Sequence, residues 1–263
     1  MYHAAMVVSG QDTTSPAFVR LVAHPLRWRL LTALADSDRR VRELVVLTDQ
    51  PQNLVSYHLR VLRDGGLVTS TRSTYDGRDS YYNLRLDRCA EALAEVGAAL
   101  HPALRREAAP PVPPVDQWAR RTTVLFVCTG NSARSPIAAA LLRHHTAGRV
   151  HAASAGSRPR PRLHMNTVRV LRERFDIDIS DQRPRQLDAV GGHRFDHVIT
   201  LCDRAREACR ELPHRPRLAH WSIPDPATAG DTDQASYPAF HRTATDIDAR
   251  VRHLLPVLAT THP

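Results

Sequence analysis

Thr122-Thr123-Val124-Leu125-Phe126-Val127-Cys128-Thr129-Gly130-Asn131-Ser132-Ala133-Arg134-Ser135-Pro136 is the stretch that decides how the second half of this chain folds. Residues 122–127 form a continuous apolar run, the mark of a strand covered on both faces. A cysteine ends it, and a short polar loop then runs into a helix expected over residues 136–145, with Pro136 suited to its first turn. A sulfur at the end of a strand, facing a ring of backbone N–H groups at a helix start, sits in a positive field that stabilises the thiolate. Gly130 is expected to let the backbone curl around an oxyanion. Asn131, Ser132 and Ser135 add donors. Arg134, six residues after Cys128, offers a planar fork for two oxygens of a tetrahedral anion. Ser135 can also cap the helix and donate to the sulfur.

Outward from this loop, strand and helix patterns alternate. A short strand is expected at 150–153, a helix at 164–175, strands at 196–201 and 218–223, and a long final helix from Tyr237 to about Leu258. That order predicts an α/β domain with a parallel sheet flanked by helices, placed at residues 120–263.

Upstream lies Glu107-Ala108-Ala109-Pro110-Pro111-Val112-Pro113-Pro114-Val115-Asp116, with four prolines in five positions. Such a run cannot continue a helix and favours a stiff extended spacer, so residues 107–119 are read as a linker. Before it, residues 16–106 read as a mainly-α domain. Helical spacing covers 18–35 with a break near Pro25, a short second helix covers 41–48, and a third covers 52–64, closed by Gly65 and Gly66. Two short strands, 67–72 and 81–84, join through Asp76-Gly77 as a hairpin, and an amphipathic helix follows over 87–100.

Helix, short helix, third helix and hairpin are the parts of a winged helix-turn-helix, whose third helix enters the major groove. Val55, Leu59 and Leu62 share its inner face. Gln52, Asn53, Ser56, Tyr57 and Arg60 point outward, carrying groups suited to base edges and phosphates. Arg72 and Arg78 flank the wing turn, where they can follow the backbone or the minor groove.

Bulk charge is a poor guide here. The net charge is +9, yet there is no lysine, and all 36 basic residues are arginine, which points to a composition bias. Residues 1–108 carry only +2 while residues 109–263 carry +7, so the DNA reading rests on pattern, and the second half suits an anionic substrate. No apolar run is long enough to span a membrane, and the first 15 residues lack the features of a signal peptide. A cytoplasmic protein with reduced cysteines is expected. The 15 histidines are scattered and no Cys or His pairs stand at ligand spacing, so no metal site is expected.

Two resemblances sharpen this reading. Ser56-x-His58-Leu59-x-x-Leu62-x-x-x-Gly66-Leu67-Val68, then Gly77-Arg78 and Tyr82-x-Leu84, resembles the ArsR family of bacterial repressors over about residues 16–102. The resemblance implies operator DNA as a partner and a homodimer formed through helices 18–35 and 87–100. Arsenic-sensing members carry a Cys-x-Cys after Glu-Leu. Here Glu43-Leu44 is followed by Val45-Val46-Leu47, so the thiolates that a soft As(III) ion needs are missing, and Cys89 is the only cysteine of this half.

The Cys128–Pro136 loop resembles that of the low-molecular-weight protein tyrosine phosphatases and of arsenate reductases sharing their fold, over about residues 122–258. The resemblance implies that Asp225, in Asp225-Pro226, is the general acid. Cys202 and Cys209 resemble the Cys-x6-Cys of thioredoxin-coupled arsenate reductases, with His220-Trp221 downstream. In that family the nucleophile, here Cys128, attacks arsenate. The second cysteine, here Cys202, then forms a disulfide with it and releases arsenite, and the third, here Cys209, takes over the disulfide. No bound cofactor is implied, only an external reductant, thioredoxin or a small thiol. The residues after Asp225-Pro226 include no aromatic wall for a phenol ring. Two alternatives stay open: a repressor whose second domain only senses an oxyanion or oxidant, and a tyrosine-phosphatase fusion.

Overall fold

The computed structural model describes residues 15–75, 77–108, 122–190, 192–209 and 216–260. Most of the linker expected at 107–119, and Asp76 of the wing turn, lie outside the described residues. Two separate clusters of buried apolar side chains divide the molecule, one built from Leu26 to Val68 and the other from Val124 to Leu258.

In the first, the apolar stretch expected as one interrupted helix forms two, α1 (Ala17–Val22) and α2 (Pro25–Ala35). The break has a local cause. Pro25 takes the first position of α2, where its missing N–H costs nothing, and the His24 ring accepts from the Leu26 amide. β1 (Arg39–Arg40) follows, then α3 (Val41–Thr48), whose residue Glu43 accepts from the Arg40 amide as a capping box, then α4 (Gln52–Asp64). Gly66, at φ +74°, reverses the chain after α4. β2 (Val68–Arg72) and β3 (Ser80–Leu84) are the antiparallel wing, and β1 pairs with β3 as a third strand that the sequence did not reveal. α5 (Leu86–Leu100) ends the domain. Val55, Leu59 and Leu62 of α4 are fully buried against α2 and α3, which fixes the opposite face of α4 outward.

The second cluster surrounds a four-stranded parallel sheet, β4 (Thr123–Cys128), β5 (His151–Gly156), β6 (His197–Thr200) and β7 (Arg217–His220), in the order β5-β4-β6-β7. Every residue of β4 from Val124 to Cys128 is buried, as its unbroken apolar run requires. α6 (Arg134–His145) is buried from Arg134 to Leu142 because it lies between the sheet and two later helices, α7 (Met165–Phe175) and α9 (Asp233–Thr260). α9 starts four residues before the boundary expected at Tyr237, since Thr232 caps it by accepting the Ala235 amide on its hydroxyl. Between β6 and β7 sits a six-residue helix, α8 (Asp203–Ala208), with Cys202 and Cys209 as its two caps.

The domains meet along β7, α8 and α9. Asp38, buried, takes the Ser222 amide at 2.7 Å and the Arg250 guanidinium at 3.0 Å. The Asp38 amide donates to His220 O at 2.8 Å. Tyr81 of β3 stacks edge-on against the His220 ring, with centroids 4.7 Å apart. No helix among the described residues is long and apolar enough to cross a membrane.

Candidate oxyanion site and its thiols

The loop after β4 is shaped by where its carbonyls go. Cys128, Thr129, Gly130 and Ser132 each give their backbone oxygen to an N–H of the segment running from Ser157 to His164, at 2.8–3.2 Å. Peptide planes held with carbonyls outward present their N–H groups to the opposite side, the side of the sulfur. The Asn131 amide donates to Cys128 Sγ at 3.2 Å. The residue that makes the turn is Asn131, at φ 46°, rather than Gly130, which has no positive φ. Its side chain fixes this unusual geometry. Oδ1 accepts from the Arg185 amide at 2.7 Å, and Nδ2 donates to Ser135 Oγ at 2.9 Å. Ser135 therefore keeps its own hydrogen to donate, and its nearer acceptor is Cys128 Sγ at 3.0 Å, with Ala155 O at 3.3 Å.

Arg134 opens α6 and is buried. One terminal nitrogen donates to Ile223 O at 2.9 Å, the other to Asp225 Oδ2 at 2.7 Å. Its Nε is buried and has no partner among the described residues. A buried donor without an acceptor is costly, and an oxyanion in the loop is the acceptor this position lacks. The other oxygen of Asp225 caps the turn at Pro226–Thr228 by accepting the Ala227 amide at 3.2 Å. Ser132 is half-buried in the loop.

Gly156, at the end of β5, is a site residue that the sequence reading missed. A Cβ there would stand 2.7 Å from Thr129 O and 3.0 Å from Asn131 atoms, so only glycine lets the loop lie against β5.

The two further thiols cap the two ends of α8. Cys202 is buried just past β6, with its Sγ 3.2 Å from Thr129 Oγ1, and so against the same loop. Burial raises its pKa above the ordinary thiol value, against the opposing pull of the Arg134 charge. Cys209, at the far end of α8, is also buried, and burial with Cys202 nearby pushes it up to about 12. All three are free thiols. Asp203, one residue past Cys202, is buried in a network missed in the sequence. His220 Nε2 lies 3.0 Å from its Oδ1, Ser222 Oγ donates to Oδ1 at 2.9 Å, and the Thr74 amide donates to Oδ2 at 2.6 Å. Burial opposes its charge, but these hydrogen bonds outweigh that and hold the carboxyl at about 2.

In the first domain Gln52, Asn53, Ser56, Tyr57 and Arg60 are all exposed on the outer face of α4, and Arg60 lies over the Tyr57 ring at 5.9 Å. Arg72 and Arg78 are exposed on the wing. Cys89 is half-buried on α5, and burial raises its pKa to about 11. No cluster of three His, Cys, Asp or Glu able to hold a metal is found among the described residues.

A cysteine loop, an arginine fork and an Asp-Pro pair on a four-stranded parallel sheet are the parts of a phosphatase-like enzyme, and the chain belongs to the low molecular weight phosphotyrosine protein phosphatase family, whose model matches residues 123–262. Residues 24–70 match the bacterial regulatory protein, arsR family, so the chain is a fusion of the two. The arsenate reductase of Bacillus licheniformis is 35% identical over 132 residues, which is 50% of this chain and 94% of that protein. The arsenate reductase of Halalkalibacterium halodurans is 31% identical over 132 residues, again 50% of this chain and 94% of the relative. Among solved structures, an arsenate reductase from Archaeoglobus fulgidus is 32% identical, with a TM-score of 0.42, covering 51% of this chain and 98% of that one.

Proposed function

We propose that the protein is a DNA-binding regulator fused to an arsenate reductase that works through a relay of Cys128, Cys202 and Cys209. The observation that carries this reading is the order of the sulfurs: one inside the oxyanion loop, one against that loop through Thr129, and one at the other end of α8. A phosphatase needs only the first.

The steps balance as follows. Cys128 thiolate attacks arsenic, a water leaves with a proton from Asp225, and Arg134 holds two oxygens of the adduct. Cys202 thiolate attacks Cys128 Sγ, the S–As bond breaks, and its electron pair stays on arsenic, which leaves as arsenite. Cys209 thiolate then attacks Cys202 Sγ and expels Cys128 as thiolate. An external dithiol, thioredoxin in this reading, reduces the 202–209 disulfide. Gly130, Asn131, Ser132 and Ser135 bind the oxyanion with Arg134, and no bound cofactor takes part. The relay needs a thiol-reducing compartment, in keeping with a cytoplasmic protein.

In the regulator half, Gln52, Asn53, Ser56, Tyr57 and Arg60 read the major groove of an operator, with Arg72 and Arg78 on the flanking backbone. A homodimer forms through α1 and α5, neither of which has a buried residue of its own, with Leu93 and Leu100 exposed. Steady-state turnover with arsenate and thioredoxin, set beside hydrolysis of an aryl phosphate, tests the enzymatic half. Aryl phosphate hydrolysis without arsenate turnover would replace the relay with a phosphatase.

A further inference from the structure

The helix that separates the last two relay cysteines is also one of the parts of the reductase that grip the DNA-reading domain. Asp203, its first residue, accepts from the wing residue Thr74 through both the amide, at 2.6 Å, and the hydroxyl, at 3.1 Å. Arg206, in its middle, forks onto Glu43 of α3, with one of the two bonds at 3.2 Å, and its guanidinium lies 5.2 Å from the Tyr81 ring centroid of β3. Glu207 reaches Arg40 at 3.9 Å. Three of the six residues of α8 thus hold β1, α3 and the wing, and the last two of these are parts that a winged helix brings to DNA.

That grip is incompatible with a bond between the helix's own caps. Cys202 and Cys209 are seven residues apart across α8, so their Cα atoms stand roughly 10 Å apart along a helix axis. A disulfide needs Cα atoms closer than about 7 Å. The 202–209 bond therefore requires α8 to unwind, which carries Asp203 and Arg206 off their partners. Cys209 is also buried, so opening must precede its attack.

We propose that the Cys202–Cys209 pair is the signal input of the DNA-binding domain: oxidation of these two thiols to a disulfide unwinds α8 and removes its hold on the wing and α3. This rests on the relay reading for the source of oxidation. The chemistry is the relay's own thiol–disulfide exchange, in which the two thiols are oxidised by two electrons and As(V) is reduced by two. It supplies an input where the Cys-x-Cys of the first domain is absent, since Val45, Val46 and Leu47 occupy that part of α3. Coupling is reciprocal by linkage: a domain that holds α8 folded also disfavours the 202–209 disulfide, and one held elsewhere, as on DNA, favours it.

Hydrogen exchange on the full-length protein tests this directly, because the Thr74 amide is itself a reporter. Reduced protein is compared with protein after one arsenate turnover without reductant, with the disulfide mapped by peptide mass. The expected result is at least tenfold faster exchange in the peptide carrying the Thr74 amide and in α3 once 202–209 has formed, with the β4 peptides unchanged. Cys209→Ser, which cannot form that bond, keeps slow exchange after arsenate. Glu43→Gln and Arg206→Ala exchange faster at the wing and α3 while still reduced. A mapped 202–209 disulfide with the Thr74 peptide as slow as before overturns the proposal. If arsenate produces no disulfide, the reductase reading fails by itself, and diamide, a two-electron thiol oxidant, replaces it in the same comparison. Failure of diamide also to join the two sulfurs overturns the proposal.

Discussion

Arg134 and Asp225 are joined at 2.7 Å, so the group read as the oxyanion clamp and the group read as the general acid hold one another in place before any substrate arrives. The pair is asymmetric: Arg134 is buried while the Asp225 side chain remains partly open, as an acid facing an incoming anion must be.

The first prediction concerns this pair. Asp225→Asn keeps an oxygen for Arg134 but has no proton to give, so kcat for arsenate should fall by about 10²-fold, with little change in KM. Arg134→Lys loses the planar fork and should raise KM as well as lower kcat. Steady-state kinetics of both variants separates the roles, and equal changes in KM alone would remove Asp225 from the chemistry.

A second prediction comes from Gly156. Its added Cβ would meet the Thr129 carbonyl and the Asn131 backbone, neither of which is a flexible side-chain tip that can swing away. Gly156→Ala should cost about 1–3 kcal/mol of stability by overpacking and remove most reductase activity, because the loop must shift to make room. Urea unfolding and turnover on the same sample check both. A fully active Gly156→Ala would show that the loop tolerates displacement.

How much of this was legible in the sequence depends on range. Val124 to Cys128 could be read because every residue of that run is buried and so every one is apolar. The Cys128–Pro136 loop was legible because its local order carries the chemistry. β1 was not, since Arg39 and Arg40 have no apolar pattern and form a strand only by pairing with Tyr82 and Tyr81. α8 was not, because six residues are too few to show a helical period. The Asp203 network joins residues more than a hundred positions apart, as Thr74 and Asp203 are, and no spacing rule reaches that far. The start of α9 was expected at Tyr237, but the hydroxyl of Thr232 begins it earlier.

Asp203 gives a pH prediction with a definite sign. Its folded pKa is about 2, below the ordinary carboxylate value, so the stabilisation is present in full above pH 4 and is lost as pH falls toward 2. The shift corresponds to about 2 kcal/mol. Unfolding free energies measured between pH 5 and pH 2 should fall less steeply for Asp203→Asn than for the parent. Identical slopes would mean that the carboxyl is not held by His220, Thr74 and Ser222.

Dimerisation is tested on α5. Leu93 and Leu100 are 59% and 77% exposed on a helix with no buried residue, an arrangement that wastes apolar surface unless another chain covers it. Leu93→Asp with Leu100→Asp should convert a dimer into a monomer of 29.4 kDa in light scattering without loss of reductase activity. A parent protein that is already monomeric at micromolar concentration would remove this interface.

The last prediction separates the two halves. Arg60 lies on the exposed face of α4, its guanidinium over the Tyr57 ring, in a different domain from the thiols of the relay. Arg60→Ala should weaken binding to duplexes enriched from a random library by the full-length protein, while arsenate turnover stays at the parent level. The salt dependence tells what Arg60 touches. If it neutralises a phosphate, the slope of log K against log salt falls by about one and all sequences suffer alike. If it forks onto a guanine, the slope holds and discrimination at one base pair is lost, about 1–3 kcal/mol at that position. Tyr57→Phe, which keeps the ring beneath the guanidinium, should bind like the parent if stacking is its role, and weakly if its hydroxyl meets DNA. Unchanged affinity in both variants would place the reading surface somewhere other than α4.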